Sequence, residues 1–135
     1  MSNNDETLPG GNETILVVED DELVRGMTID RLQRLGYKVV EAENARQALL
    51  MLELYPDIKL LFTDIVMPGG MSGIELVEQV SQIFPKLAIL VTSGYTERLG
   101  INDRRLPAGT VLLSKPYRWR QLAIQLRQVL DHAHG

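Results

Sequence analysis

No cysteine occurs in the 135 residues, so neither disulfides nor thiolate metal sites enter the reading. No apolar run approaches the roughly 20 residues that a membrane-spanning helix needs. The polar opening MSNNDETLPGGNE lacks the apolar core of a signal peptide. Basic residues nowhere gather into a block, and with a formal net charge of -4 the chain offers no electrostatic footprint for nucleic acid. Internal repeats and low-complexity stretches are missing too. What is left is a chain long enough to bury one core. It is expected in the cytoplasm, alone or as a piece of a longer protein.

Short apolar runs recur along it: ILVV (15–18), VV (39–40), LLF (60–62), AILV (88–91) and VLL (111–113). Unbroken runs of this length suit parallel strands covered on both faces. Most intervals between them carry helical periodicity. Leu23, Val24, Met27, Leu32 and Leu35 fall within half a helical wheel, and Gly36 is a stop signal. Ala45, Ala48, Leu49 and Leu52 repeat behind an Asn44 N-cap; Ile74, Val77, Val80 and Phe84 share a face that Pro85 ends. Trp119, Leu122, Ala123, Leu126 and Leu130 make the cleanest stripe. Strands alternating with helices imply βαβ units and a parallel sheet. The interval 94–109 has few apolar residues and no stripe, so the fourth helix is expected to be weak or irregular and the segment to be the most mobile internal one. Residues 1–13 read as a flexible tail or linker, 14–132 as the folded domain and 133–135 as a frayed end.

The fold class predicted is α/β: a flavodoxin-like, doubly wound, five-stranded sheet of order 2-1-3-4-5. In such sheets ligands sit outside the carboxyl ends of the strands, where the order reverses, here between strands 1 and 3. Strand 1 runs into Glu19, Asp20, Asp21 and Glu22, and strand 3 into Asp64. Two carboxylates about 4 Å apart repel by about 4 kcal/mol at an effective dielectric of about 20. Either one stays protonated or a cation sits between them, and hard oxygen ligands partly open to solvent favour Mg²⁺. Strand 4 ends in Thr92-Ser93-Gly94, offering hydroxyls, and strand 5 in Ser114-Lys115-Pro116, offering an ammonium. Carboxylates, cation, hydroxyl and lysine together make a site for a phosphoryl group, with Asp64 as nucleophile.

Over residues 13–131 the chain resembles the response-regulator receiver domains of two-component signalling, of the kind found at the C-terminus of hybrid histidine kinases. The resemblance implies Asp64 as phosphoacceptor, Thr92 as the switch hydroxyl and Lys115 as the phosphate contact. It implies a Mg²⁺ site of Glu19, Asp20, Asp64 and the main-chain carbonyl of Val66, with Glu19 acting more often through water. The partner implied is a histidine kinase or a histidine phosphotransfer domain, in a step passing phosphate onward or changing conformation. A cis Lys115-Pro116 bond and a small residue at Ser93 belong to the same likeness. The family's D-x-x-M-P-x-M-D-G is here DIVMPGGMSG, with glycine one residue late and Ser72 replacing the acid. SGIE (72–75) still forms a capping box. Leu112 stands where the family carries the aromatic that swings with the threonine, which puts that mode of coupling in question.

Each residue singly also has a plain reading. The acids after strand 1 can serve a helix N-terminus, as expected of Asp21 and Glu22. Asp64 can be a turn residue, Thr92 structural and Lys115 solvated. His132 and His134 lack a metal-ligand partner at useful spacing, Trp119 reads as packing, and Leu50 and Ile124 fall off their stripes. The conjunction of four strand ends, each supplying the needed group, favours the phosphoryl site. Two competitors stand beside it. One is a pseudo-receiver that binds partners without phosphotransfer. The other is an aspartate-nucleophile phosphatase, which wants a second Asp where Val66 stands.

Overall fold

In the computed structural model, residues 8–66, 71–94 and 106–134 are described. Five parallel strands form one sheet in the order β2-β1-β3-β4-β5. They are β1 (Thr14–Val18), β2 (Lys38–Ala42), β3 (Ile58–Asp64), β4 (Ala88–Ser93) and β5 (Val111–Ser114). Among the described residues four helices flank them: α1 (Glu22–Arg34), α2 (Ala45–Leu54), α3 (Gly73–Ile83) and α4 (Trp119–His134). The topology is the one predicted. The expected weak helix before β5 falls largely on residues 95–105, which lie outside those described.

Every residue of β1 and β4 is buried, as strands covered on both faces must be. Alternate side chains feed two cores. Leu16, Val18, Leu61 and Val91 pack with Ala48, Leu52, Leu76 and Val80 of α2 and α3. Ile15, Val17, Leu60 and Leu90 pack with Leu32 of α1 and Leu122, Leu126 and Leu130 of α4. Asn44 caps α2 by accepting from the Gln47 N–H, and Ser72 and Glu75 close the expected capping box on α3. Gly36 follows α1 at φ 102°, a left-handed conformation open to glycine at little cost.

Helix α1 keeps Leu32 and Leu35 of its predicted face inward but departs from it in its first turns. Leu23 is 73% exposed, and Val24 and Met27 are exposed as well; the buried residues are Thr28 and Leu32. Thr28 can be buried because its hydroxyl donates to the Val24 carbonyl one turn back, at 2.9 Å. A polar residue satisfied within its own helix is invisible to an apolar pattern. The first apolar turn is thereby left facing outward.

The ends of the domain also differ from expectation. α4 continues as helix through His134, past the predicted end at 132. Before β1, the Arg127 guanidinium donates to the Gly10 carbonyl at 3.0 Å and to both Glu13 carboxylate oxygens at 2.6 and 3.1 Å. It reaches Asp131 as well. Gly11 N–H donates to the Leu35 carbonyl, and Lys38 N–H to Glu13. The predicted tail is therefore anchored from residue 10 onward.

Arg127 holds the Glu13 carboxyl below its ordinary value of 4.5 by hydrogen bonding. A depressed carboxylate contributes stability that is present above its unfolded pKa and lost as pH falls through the folded one. Arg127→Met is therefore expected to cost about 1–2 kcal/mol near neutrality in urea unfolding. The difference from wild type should shrink as pH drops below 4.5. A cost that does not change with pH would show that Arg127 acts by packing alone.

Candidate functional site

Reversal of strand order beside β1 brings the ends of β1, β3, β4 and β5 to one edge of the sheet. Register sets the details. Asp64 lies opposite Thr92, and Ser93 opposite Ser114. Two further backbone bonds carry the alignment past the ladders, Ile65 N–H to Thr92 and Lys115 N–H to Ser93. The peptide bond after Lys115 is cis, as expected.

The Asp64 side chain is only 11% exposed, and both its oxygens are engaged. Lys115 Nζ donates to Oδ2 at 2.6 Å, and Val66 N–H donates to Oδ1 at 3.2 Å. Such charge-assisted contacts are strong. The carboxylate at the end of a buried strand is thereby paired on both oxygens.

Of the acids after β1, three take different roles. Asp21 caps α1, accepting from Leu23 and Val24 N–H at 3.0 and 3.1 Å, as its plain reading had it. Asp20 is exposed. Glu19 is half-buried and accepts from Asp21 N–H at 3.1 Å. Its carboxyl is pushed above the usual range, first by burial and then by the nearby Asp20 and Asp64 carboxyl groups. Arg25 fixes this corner by donating to the Glu19 carbonyl at 2.8 Å and to Glu41 at 2.9 Å.

A cavity of about 30 Å³ opens beneath Asp64, lined in part by Glu19, Thr92, Lys115, Val24 and Tyr117. Thr92 and Ser93 are buried and, as neighbours on a strand, face opposite sides of the sheet. Tyr117 was not singled out from sequence, although an aromatic directly after Lys-Pro was there to be noticed. Burial pushes its hydroxyl up to about 12, with the Glu19 and Asp64 charges adding to the effect, so it stays neutral. Leu112 packs half-buried against the core beneath α2 and α3.

Among the described residues no three carboxylates converge closely enough, as placed, to grip a metal ion. The donor chemistry nevertheless fits a hard divalent cation. Glu19 and Asp20 adjoin each other in sequence, and Glu19 and Asp64 line the same small cavity, so hard oxygen donors stand at neighbouring strand ends. Val66 is exposed, with its carbonyl two residues beyond Asp64. Among the described residues no helix is long and apolar enough to cross a membrane.

Comparison with known proteins bears on the family and the fold. Residues 15–127 match the family model described as response regulator receiver domain. The response regulator receiver protein CpdR of Brucella abortus (strain 2308) is 35% identical over 116 residues, spanning 86% of this chain and 95% of that protein. The sensor kinase CckA of the same organism is 33% identical over 122 residues, 90% of this chain but only 13% of the kinase. A response regulator receiver protein from Sinorhizobium medicae WSM419 shares the fold, with a TM-score of 0.81 at 22% identity over 91% of this chain and 98% of that one. The chain belongs to the response regulator receiver domains, signalling modules of two-component systems and not enzymes in the ordinary sense.

Proposed function

We propose that Asp64 is the phosphoacceptor and that it takes its phosphoryl group from the phosphohistidine of a kinase or of a histidine phosphotransfer domain. The observation that carries this is Asp64 itself, little exposed, with Lys115 Nζ at 2.6 Å and a second acidic corner at the next strand end. A carboxylate oxygen of Asp64 attacks phosphorus as the phosphorus–nitrogen bond to imidazole breaks, and the imidazole leaves with the bonding pair and collects a proton. Lys115 stays beside the new acyl phosphate and offsets charge on its oxygens. Thr92, in register with Asp64, supplies the hydroxyl that a phosphoryl oxygen draws in. Glu19, Asp20, Asp64 and the Val66 carbonyl would hold Mg²⁺, which, when bound, neutralises charge on the transferring oxygens. The outward apolar turn of α1, with Val24 also lining the cavity, suits a helical partner bearing the histidine. Such a donor places the reaction in the cytoplasm.

Incubation with Mg²⁺ and a small phosphodonor, followed by intact-mass measurement, tests the reading. A single phosphoryl adduct is expected, absent from Asp64→Asn. Steady hydrolysis of the donor without an adduct would instead indicate a phosphatase. An unchanged mass would indicate a binding module only.

The lifetime of the adduct follows from its surroundings. Hydrolysis needs a water held in line behind phosphorus, and polar side chains hold it. Val66 and Gly94, two residues beyond Asp64 and Thr92, have no side chain that can do so. Val66→Asn is expected to shorten the lifetime about tenfold in Mg²⁺. Equal decay in both proteins would remove the role assigned to Val66.

A further inference from the structure

The cavity wall formed by Tyr117 continues outward as a connected series of contacts. Tyr117 meets Trp119 edge to face, with ring centroids 6.1 Å apart and planes at 86°. The Arg31 guanidinium of α1 lies over the Trp119 ring, 5.3 Å from its centroid. Trp119 in turn lines a groove of about 230 Å³ between α1 and α4, with Leu32, Leu35, Leu122 and Leu8. Leu8 comes from the segment before β1, and that segment has a fixed seat. A Cβ on Gly10 would stand 2.1 Å from the Leu35 carbonyl oxygen, and one on Gly11 would stand 2.3 Å from Arg127 Nη1. At Gly10 the obstacle is backbone and cannot move aside, at Gly11 it is the side chains that anchor the segment, and Arg127 holds the Gly10 carbonyl in place.

We propose that Tyr117 and Trp119 are positioning residues for the Asp64 pocket, and that the groove wall Trp119 shares with Leu8 sets their position. Filling the pocket and seating the segment before β1 then reinforce one another. The inference rests on the reading of Asp64 as phosphoacceptor. Its physical basis is stiffness. Two flat rings, two residues apart in sequence and in edge contact, transmit a tilt where flexible side chains would absorb it. Tyr117 is also two residues from Lys115, the group aimed at Asp64. Coupling between two binding events is reciprocal, so it can be read from either end. Simple packing is the alternative, and it makes a different forecast. Loss of the rings would then lower stability and leave ligand affinity alone.

The test uses the full chain and calorimetric titration with Mg²⁺ and beryllofluoride, a phosphoryl mimic. Trp119→Leu is expected to weaken binding about fivefold, and Leu8→Ser to weaken it by a smaller factor. The Leu8→Ser effect should vanish in the Trp119→Leu background, as residues on one path do in a double-mutant cycle. Tyr117→Phe, which keeps the ring, should keep the affinity that Tyr117→Leu loses. From the other end, beryllofluoride should slow hydrogen exchange at Gly11 and Lys38 N–H in wild type and not in Trp119→Leu. Absence of binding by wild type overturns the reading of the site and this inference with it. Wild-type affinity in Trp119→Leu overturns the inference alone. If Trp119→Leu does not fold, Leu8→Ser decides, and unchanged affinity there overturns the linkage.

Discussion

Gly73→Ala is expected to destabilise the protein by about 3 kcal/mol, a large effect for one added methyl group. Gly73 opens α3, and its N–H donates to the Ile65 carbonyl at 2.9 Å. A Cβ there would lie 2.2 Å from the Asp64 carbonyl oxygen, 2.6 Å from Ile65 Cα and 2.7 Å from the Ile65 carbonyl oxygen. All three are backbone atoms, which cannot swing aside as a side-chain tip can. Either α3 backs away and loses that hydrogen bond, or the main chain of Asp64 shifts with it. Gly73→Ala is therefore expected to impair Mg²⁺ binding as well as folding. Denaturant unfolding with and without Mg²⁺ reads both. A loss below about 0.5 kcal/mol, the size of an ordinary surface change, would contradict the tight packing of α3 on β3.

On the proposed site, Asp20→Asn is expected to weaken Mg²⁺ about tenfold, because it would remove a ligand and a negative charge together. Its neighbour provides the contrast. The Asp21 carboxylate is turned to the first turn of α1, and Asn caps helices as well as Asp does. Asp21→Asn should therefore leave Mg²⁺ affinity within about twofold, since only a more distant, screened charge is lost. Calorimetry on the two variants separates a metal site from a merely acidic loop. Equal losses in both would mean that bulk charge, not coordination, draws the cation.

Sheet order and strand positions were legible because β1, β4 and the 60–62 stretch of β3 are buried on both sides and so read as unbroken apolar runs. The acids, threonine and lysine were legible for a related reason. Each stands directly after such a run, and parallel topology gathers those ends. Faces were harder to read than elements. On α1 the predicted Leu32 and Leu35 do pack inward, but the sheet also selected Thr28, whereas Leu23, Val24 and Met27 of the same apolar pattern stay exposed. The Leu-Pro-Gly-Gly segment looked like a linker because glycine signals freedom in isolation. Here Gly10 and Gly11 serve close packing, which depends on Arg127 more than a hundred residues away. Tyr117 escaped notice because one aromatic carries no periodicity, and its place depends on how β5 meets α4.

The contact of Arg127 with Gly10 and Glu13 sets where the polypeptide enters the fold, beside the last helix. The stretch leading into β1 lies against the helix that closes the domain, away from the carboxyl ends of the strands. Termini that lie close together at a surface let a domain be spliced into a longer chain as a cassette. The same architecture can thus make up nearly all of a protein such as CpdR, or 13% of a sensor kinase such as CckA, without redesign of its interior.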